Sequence, residues 1–251
     1  RDKDRLNLAI RNVDIVYHAA AMKHIEICED NPFDAVKTNV VGTSNILESS
    51  IIEGIEKFVF ISTDKATNPT STLGGSKLLA ERLTLDAGTY SGKGKTKFAI
   101  VRFGNVLGSR GSVFQIFQKQ IRMKKPLTVT DRNMTRFIMS ISDAASMILN
   151  VTKILTGDEI YILKMPSVVI ENLAIGMLRV YGSRFPDYRN TSSINITKPR
   201  GERFHELLIS KEEIPYCHDI GDMYKISKTP SKKQLSSKEF SSETASRISQ
   251  S

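Results

Sequence analysis

The chain of 251 residues has only two cysteines and lacks any long apolar segment. Cys28 and Cys217 form no CxxC pair and have no histidine cluster around them, so we expect neither a metal site nor a disulfide framework. Free thiols are typical of the reducing cytosol, and we expect a cytoplasmic protein. No apolar run approaches the roughly 20 residues that cross a bilayer, and no secretory h-region is present, so we expect no membrane segment.

The net charge of +9 is not concentrated in a nucleic-acid-binding pattern. Residues 227–251 carry five Lys or Arg against two Glu, and the remaining excess is spread along the chain. No basic run is interleaved with aromatic residues. The pattern favours a solvated basic surface and excludes nucleic acid as the expected partner, while a polyanionic small substrate remains compatible with it.

Short apolar runs alternate with helical spacing in the first part of the chain. We expect helices over residues 32–53 and around Leu78–Leu85. The apolar runs predict strands at residues 14–18, 57–62 and 97–102. Strands that are apolar throughout, separated by helices, indicate a Rossmann-like, doubly wound parallel sheet within an α/β fold.

The second part of the chain is less regular and predicts a smaller α/β substrate lobe. We divide the sequence into a dinucleotide-binding portion (1–110), a substrate lobe with some return to the sheet (111–226) and a tail (227–251). Within the lobe we expect helices near 113–123, from 142 and over 171–181, and strands near 127–130 and 159–163. The tail contains nine serines and few apolar residues, and we predict that it is disordered.

No glycine-rich turn precedes the first predicted strand at Asp14. A dinucleotide fold needs such a turn because its glycines let the pyrophosphate approach backbone N–H groups at a helix N-terminus. We therefore expect a Rossmann-like sheet that lacks its first βαβ portion. We also expect that these residues alone do not bind a cofactor tightly.

A hydroxyl, a carboxylate and an amine follow the strand at residues 57–62. These are Thr63, Asp64 and Lys65, and Lys77 lies on the next predicted helix. Functional groups of open α/β sheets lie at the carboxyl ends of the strands. The Asp–Lys pair is either a surface salt bridge or an acid–base pair in which desolvation brings the lysine toward neutrality.

The wider pattern resembles the extended short-chain dehydrogenase/reductase family, specifically the 4,6-dehydratases that act on UDP-N-acetylglucosamine in polysaccharide biosynthesis. The resemblance covers residues 1 to about 226. Its main motifs are VYHAAAMKH (16–24), TNVVGT (38–43), STDKA (62–66), GSK (75–77), VRFGNVLGSRGSV (101–113), TRF (135–137), KMP (164–166) and KPRGE (198–202), with His205 and Glu206 following. Each motif is weak alone, and together they are specific.

The resemblance implies a role for each catalytic residue. Thr63 would hydrogen-bond the 4-hydroxyl of the sugar, Asp64 would protonate the leaving 6-hydroxyl, and Lys65 would remove the C5 proton. Lys77 would bind the ribose of the nicotinamide. A lysine beside the aspartate resembles the branch of the family that inverts C5.

The resemblance also implies NADP or NAD as cofactor, a UDP-sugar as substrate and a homo-oligomeric protein. The residues implied at the cofactor are Ala19, Ala20, Ala21, Asn39, Ser62, Lys77 and Phe103. The residues implied at the substrate are Lys23, Asn105, Arg110, Arg136 and Arg200. His18, His24 and His205 are interpreted as structural or surface residues, since no third ligand at metal spacing accompanies them.

Leu73 departs from the pattern of the superfamily, which has a tyrosine four residues before the lysine at this site. Long, membrane-attached forms of this dehydratase family also lack that phenol, and Leu73 resembles them. Asp64, or a water held by Thr63, is then the candidate for the proton of the 4-hydroxyl. Two alternatives remain open, a UDP-sugar 4-epimerase or 5-epimerase and a non-catalytic remnant.

Overall fold

The computed structural model describes residues 1–90, 96–184, 194–196, 202–232 and 235–248. The helices are α1 Lys3–Ala9, α2 Ile25–Asp30, α3 Pro32–Ala35, α4 Gly42–Glu53, α5 Thr72–Tyr90, α6 Val113–Arg122, α7 Ile141–Ile154 and α8 Ile170–Arg184. The strands are β1 Ile15–His18, β2 Lys57–Thr63, β3 Lys97–Phe103, β4 Asn105–Val106, β5 Leu127–Val129, β6 Thr135–Met139, β7 Glu159–Leu163, β8 Ser167–Val169, β9 Ile194–Ile196, β10 Cys217–Asp219 and β11 Met223–Ile226.

The main sheet has the strand order β1-β2-β3-β7-β11-β10. Strands β1, β2, β3 and β7 are parallel, whereas β11 and β10 continue the sheet in antiparallel pairing. Phe58, Val59 and Phe60 of β2 are all buried, although neighbouring residues of a strand point to opposite faces. Helices α5 and α7 both pack on β2 and β3. The Rossmann-like, parallel-dominated α/β sheet that the sequence predicted is confirmed.

The predicted helix over residues 32–53 is continuous, but its middle turn is wider than an α-helical one. Helix α3 leads into a π-helical segment, Val36–Val41, and then into α4. Pro32 occupies the first turn, where its missing N–H leaves no bond unmade. Glycine at position 54 ends α4 in the left-handed conformation, with φ of 67°. The π segment contains Asn39, whose side chain is described below.

The elements of the second part lie where the sequence predicted them. Helices α6, α7 and α8 and strands β5 and β7 match the five predicted segments within a few residues. Helix α7 begins at Ile141 because the side chains of Ser140 and Asp143 form a capping box. Strands β4, β6 and β8 form a small sheet, and β5 pairs with β9. Strands β7, β10 and β11 of this part of the chain belong to the main sheet.

The prediction of a disordered tail is wrong for its described residues, 227–232 and 235–248. Phe240 is fully buried and meets the ring of Tyr224 edge-on, with centroids 5.1 Å apart. The backbone N–H of Leu208 donates to the carbonyl of Phe240 at 2.9 Å. The serine-rich composition concealed two buried apolar residues, Leu235 and Phe240, and the hydroxyl of Ser242, which bonds buried backbone groups of Glu206 and Thr135.

A fully buried arginine ties three parts of the fold together. Arg102 on β3 donates to both carboxylate oxygens of Glu81 on α5, at 3.1 and 2.6 Å. It also donates to both oxygens of Glu213, each at 2.9 Å, and to the carbonyl of Leu208 at 2.9 Å. Such paired, bidentate contacts satisfy a buried guanidinium, and loss of one partner would leave a buried charge uncompensated. The network fixes the segment that contains Leu208 and Glu213 against the sheet.

Within the described residues, no helix combines the length and apolarity that a bilayer crossing requires. The same residues contain no group of three or more His, Cys, Asp or Glu side chains arranged to hold a metal ion.

Candidate active site

The predicted catalytic residues lie at the carboxyl edge of the main sheet. Thr63 ends β2 opposite Phe103 of β3. Asp64–Ala66 forms a 3-10 turn, capped by the Thr63 side chain. Helix α5 then returns close to that turn, because Gly74 has no side chain. A Cβ at this position would lie 2.4 Å from the carbonyl oxygen of Lys65.

Thr63, Asp64 and Lys65 form one hydrogen-bonded group. The Thr63 hydroxyl donates to Oδ1 of Asp64 at 2.9 Å, and Nζ of Lys65 donates to the same oxygen at 3.0 Å. The Asp64 side chain is fully buried, and that of Lys65 is 18% exposed. One interpretation of the sequence made this pair a surface salt bridge. The burial of Asp64 and Lys65 rules that interpretation out. Oδ2 of Asp64 is buried and has no hydrogen-bond partner among the described residues.

A second carboxylate, to which the sequence analysis gave no role, faces the lysine. Oε1 of Glu206 lies 3.4 Å from Nζ of Lys65 and 3.7 Å from Nε of Arg136. Only 2% of Glu206 is exposed. Its neighbour His205, interpreted as a surface residue, is partly buried and bonds the Thr135 hydroxyl through Nδ1 at 2.8 Å. The resemblance included Glu206 without a role, and local sequence could not supply one, because its partners Lys65 and Arg136 lie far away along the chain.

Arg136 was expected at the substrate, and the structure gives it internal partners. Its guanidinium donates to the carbonyls of Thr135 and Phe204 at 2.8 and 3.2 Å. It also lies 3.5 Å from Oε2 of Glu202 and is buried. These contacts hold Arg136 next to Glu206 and Glu202, so its positive charge interacts with these carboxylates.

The amine of Lys65 is not brought toward neutrality. Burial lowers its pKa, but the attraction of Asp64 and Glu206 outweighs burial and Arg136, so the pKa lies above its ordinary value. The expectation that desolvation favours the neutral amine is wrong for this state of the site. Burial and the negative charge of Asp64 raise the pKa of Glu206 against the opposing effect of Lys65 and Arg136.

The other predicted lysine behaves in the opposite way. Lys77 is buried on α5, donates to the carbonyl of Ile61 at 2.8 Å and lies 4.4 Å from the ring centroid of Phe60. Burial lowers its pKa to about 8, although Glu81 opposes this. Burial and the charge of Lys77 lower the pKa of His18 to about 4. An amine that titrates near neutrality therefore lies beside the end of β2.

The residues implied at the cofactor share the same edge of the sheet. Ala19 and Ala20 follow β1 and are exposed, and Ala21 is half-buried. Asn39 is buried, donates to the carbonyl of Met22 at 3.0 Å and to Ser76 at 2.9 Å, and accepts from the N–H of Met22 at 2.8 Å. It thereby clamps the loop after β1 to α5, and this tertiary role accounts for the burial of Asn39 in a π segment whose other residues are exposed or half-buried.

One unsatisfied group at this edge fits a bound ligand. Oγ of Ser62, the next-to-last residue of β2, is buried and has no hydrogen-bond partner among the described residues. A buried hydroxyl without a partner is costly unless a ligand or water completes it. With small alanines at the end of β1 and the Lys77 amine nearby, the described residues fit the ribose and nicotinamide half of a dinucleotide. Phe103, also implied there, is buried at the end of β3.

The residues implied at the substrate are only partly brought together. Partial burial and the nearby charge of Arg110 both lower the pKa of Lys23, so these two side chains lie close together. The loop that carries Arg110 approaches the turn after β1 closely, since a Cβ on Gly111 would lie 2.3 Å from the ring of His24. Asn105 is engaged with the carbonyl of Phe137 at 3.1 Å. Arg200 lies outside the described residues.

Leu73 does not face an open site. It is 3% exposed and packs with Cys28 and Ala35, with Met22 and Ile25 at the border of the cluster. The position at which related enzymes have a phenol therefore belongs to a small apolar core in this chain.

Relatives of known sequence share most of this chain. A protein of Methanocaldococcus jannaschii, described as an uncharacterized membrane protein, is 49% identical over 89% of the chain and 68% of its own length. A UDP-N-acetylglucosamine 4,6-dehydratase (inverting) of Campylobacter jejuni is 39% identical over 90% of the chain and 65% of its own length. A UDP-glucose 4-epimerase of Rickettsia bellii is 36% identical over 90% of the chain and 64% of its own length. The chain thus spans about two thirds of each relative.

Solved structures show the same fold. Pen from Bacillus thuringiensis superposes with a TM-score of 0.91 at 37% identity, over 99% of this chain and 76% of that one. DesIV, a dTDP-glucose 4,6-dehydratase from Streptomyces venezuelae solved with NAD, superposes with a TM-score of 0.73 at 21% identity, over 81% and 66% of the two chains. Fold and site together define a Rossmann-fold protein of the short-chain dehydrogenase/reductase type.

Residues 1–228 match the family model described as polysaccharide biosynthesis protein. The chain belongs to this family, whose members similar to it include nucleotide-sugar dehydratases and epimerases.

Proposed function

We propose that this protein is a nucleotide-sugar 4,6-dehydratase that acts on UDP-N-acetylglucosamine and inverts C5. The observation that carries the proposal is the buried Asp64–Lys65 pair, with its 3.0 Å hydrogen bond at the carboxyl edge of the sheet. Elimination of water needs an acid for the leaving hydroxyl and a base for the C5 proton. A 4-epimerase needs neither, so a buried pair of this kind favours dehydration over epimerisation.

The residues of the chain divide the proton transfers among them. Thr63 holds the 4-hydroxyl, whose proton passes to Asp64 directly or through a water held by Thr63 when C4 is oxidised. Asp64 then gives this proton to the 6-hydroxyl, which leaves as water. The neutral form of Lys65, a minor species while Asp64 and Glu206 are both charged, removes the C5 proton, which is acidic once C4 is a ketone. C5 takes up a solvent proton on the other face when hydride returns to C6. Lys77 binds the nicotinamide ribose, and its pKa of about 8 lets it release or keep a proton near neutral pH.

A bound NAD or NADP would supply the hydride acceptor for C4 and the hydride donor for C6. Ser62, Lys77, Phe103 and Ala19–Ala21 would lie against it, with Asn39 fixing the loop beside them. Lys23, Asn105, Arg110 and Arg200 are proposed for the UDP-sugar, whereas Arg136, which is buried and bonded to protein groups, is assigned to Glu206. Arg110 is exposed and carries the planar group suited to a diphosphate, which accepts two parallel hydrogen bonds.

The base role of Lys65 is tested by exchange of the C5 proton. The protein is expressed from its complete reading frame and incubated with UDP-N-acetylglucosamine and cofactor in deuterated buffer. We expect Lys65→Ala to abolish incorporation of deuterium at C5. The matched control is Lys57→Ala at the other end of β2, where the amine pairs with Glu56 at 3.2 Å, and this variant should exchange like the wild type. Exchange retained in Lys65→Ala would remove Lys65 from the base role.

The alternative candidate is a UDP-sugar 4-epimerase, which the similarity to the Rickettsia protein supports. The two candidates differ in the mass of the product. Dehydration lowers the mass of the sugar nucleotide by one water, whereas epimerisation leaves it unchanged.

A further inference from the structure

Three charged side chains lie around the amine of Lys65, and two of them come from distant parts of the chain. Asp64 belongs to the same turn, Arg136 to β6 and Glu206 to the segment that precedes β10. Oε1 of Glu206 lies between the two cations, 3.4 Å from Nζ of Lys65 and 3.7 Å from Nε of Arg136. Lys65 is therefore enclosed by carboxylates on two sides.

The backbone of Glu206 is fixed independently of its side chain. Its N–H donates to Oγ of Ser242 at 2.8 Å, and its carbonyl accepts from the N–H of Ser242 at 2.9 Å. Two residues further on, the carbonyl of Leu208 accepts from Arg102 and from the hydroxyl of Thr67, at 2.9 and 3.2 Å. The segment is thus held on both sides, and the glutamate is directed at Lys65 by the fold.

The carboxylate of Glu206 also has one oxygen free to accept a hydrogen bond. Oε2 of Glu206 is buried and lacks a hydrogen-bond partner among the described residues, as does Oδ2 of Asp64. A buried carboxylate oxygen without a donor disfavours the charged form, so a fold that keeps two of them beside one amine bears a cost in stability. A purely structural ion pair gives no reason for that arrangement. A pair that exchanges protons with a substrate does.

We propose that Glu206 is the positioning residue of Lys65, holding Nζ in place and setting whether the amine keeps its proton. The inference rests on the proposed base role of Lys65 and adds the group that controls it. Arg136 pairs with Glu206, with Nε 3.7 Å from Oε1. Its guanidinium also lies 3.5 Å from Oε2 of Glu202, which is more exposed than Glu206. Arg203 lines the same small cavity as Lys65 and Glu206.

The charge of Glu206 is one of the two attractions that raise the pKa of Lys65. Glu206→Gln keeps the size and an acceptor oxygen but removes the charge. The pKa of Lys65 should then fall, because burial and Arg136 remain while one carboxylate is lost. The neutral amine becomes available at lower pH, and the acidic limb of the pH profile for C5 exchange should move to lower pH by the same amount.

The pKa is measured directly on protein labelled with carbon-13 at Cε of lysine, with the Lys65 resonance assigned by its absence in Lys65→Arg. We expect the midpoint of Lys65 to fall by about one pH unit or more in Glu206→Gln. The matched control is Glu202→Gln, which removes a carboxylate that touches Arg136 but not Lys65 and is 37% exposed. Its effect on the midpoint should be much smaller. An unchanged midpoint in Glu206→Gln would overturn the inference.

The exchange assay separates this inference from the proposed function. If wild-type protein exchanges C5 and the acidic limb stays in place in Glu206→Gln, the positioning role is refuted while the dehydratase stands. If no variant exchanges C5 but the carbon-13 midpoint shifts, control of Lys65 by Glu206 is supported and the dehydratase proposal fails.

Discussion

Two adjacent glycines in the first turn of α5 provide a matched test of how the site is built. A Cβ on Gly74 would lie 2.4 Å from the carbonyl oxygen of Lys65 and 2.9 Å from Cβ of Pro69. A Cβ on Gly75 would meet nothing within 4 Å. Replacement of either glycine by alanine in a helix gains roughly 0.5–1 kcal/mol from propensity. Both variants gain this propensity term, so the difference between their free energies of unfolding measures the clash at Gly74 alone.

The clash in Gly74→Ala involves backbone, which cannot rotate away as a side chain can. Overpacking of this kind costs about 1–3 kcal/mol, and we expect Gly74→Ala to unfold more easily than Gly75→Ala by that amount. Urea unfolding at equilibrium gives the two free energies. Because relief of the clash moves the Lys65 backbone, C5 exchange should also fall, by up to about 100-fold for a displacement near 1 Å. Equal stability and equal exchange in the two variants would refute the close approach of α5 to the site.

Two further substitutions test the surroundings of the site. Leu73→Tyr should destabilise the protein by about 1–3 kcal/mol without raising activity, because the side chain packs against Cys28 and Ala35. The control is Leu79→Tyr, at a position 54% exposed on the same helix, which should change stability by about 0.5 kcal/mol or less. A Leu73→Tyr variant that is more active than the wild type would contradict the account. The folded-state pKa of His18 lies at about 4, below its ordinary 6.5, so the unfolded chain takes up the proton first. Stability should therefore fall as pH drops from 6.5 toward 4, by up to about 3 kcal/mol, and His18→Gln should flatten this dependence in urea unfolding.

Features that depend on neighbouring residues were predictable from the sequence. The apolar runs of β2 and β3 indicated a sheet covered on both faces, and both strands lie within one residue of the predicted bounds. The position of Asp64 and Lys65 was predictable for the same reason, since residues that directly follow a parallel strand lie at the carboxyl edge of the sheet.

Features that depend on distant residues were not predictable. Glu206 reaches Lys65 through a segment held by contacts such as Thr67 to Leu208, which join positions 141 residues apart. The average composition of the tail concealed Phe240 and Ser242, and these two residues hold that segment in place. The widened turn at Asn39 likewise accompanies bonds to Met22 and Ser76, which local helix propensity does not encode.

The mass of the product tests the central claim most directly. The protein, expressed from its complete reading frame, is incubated with UDP-N-acetylglucosamine and either NAD or NADP, and the sugar nucleotide is analysed by mass spectrometry. A 4,6-dehydratase yields a product lighter by one water, and Lys65→Ala yields none. A product of unchanged mass with a new configuration at C4 would contradict the account and support the epimerase.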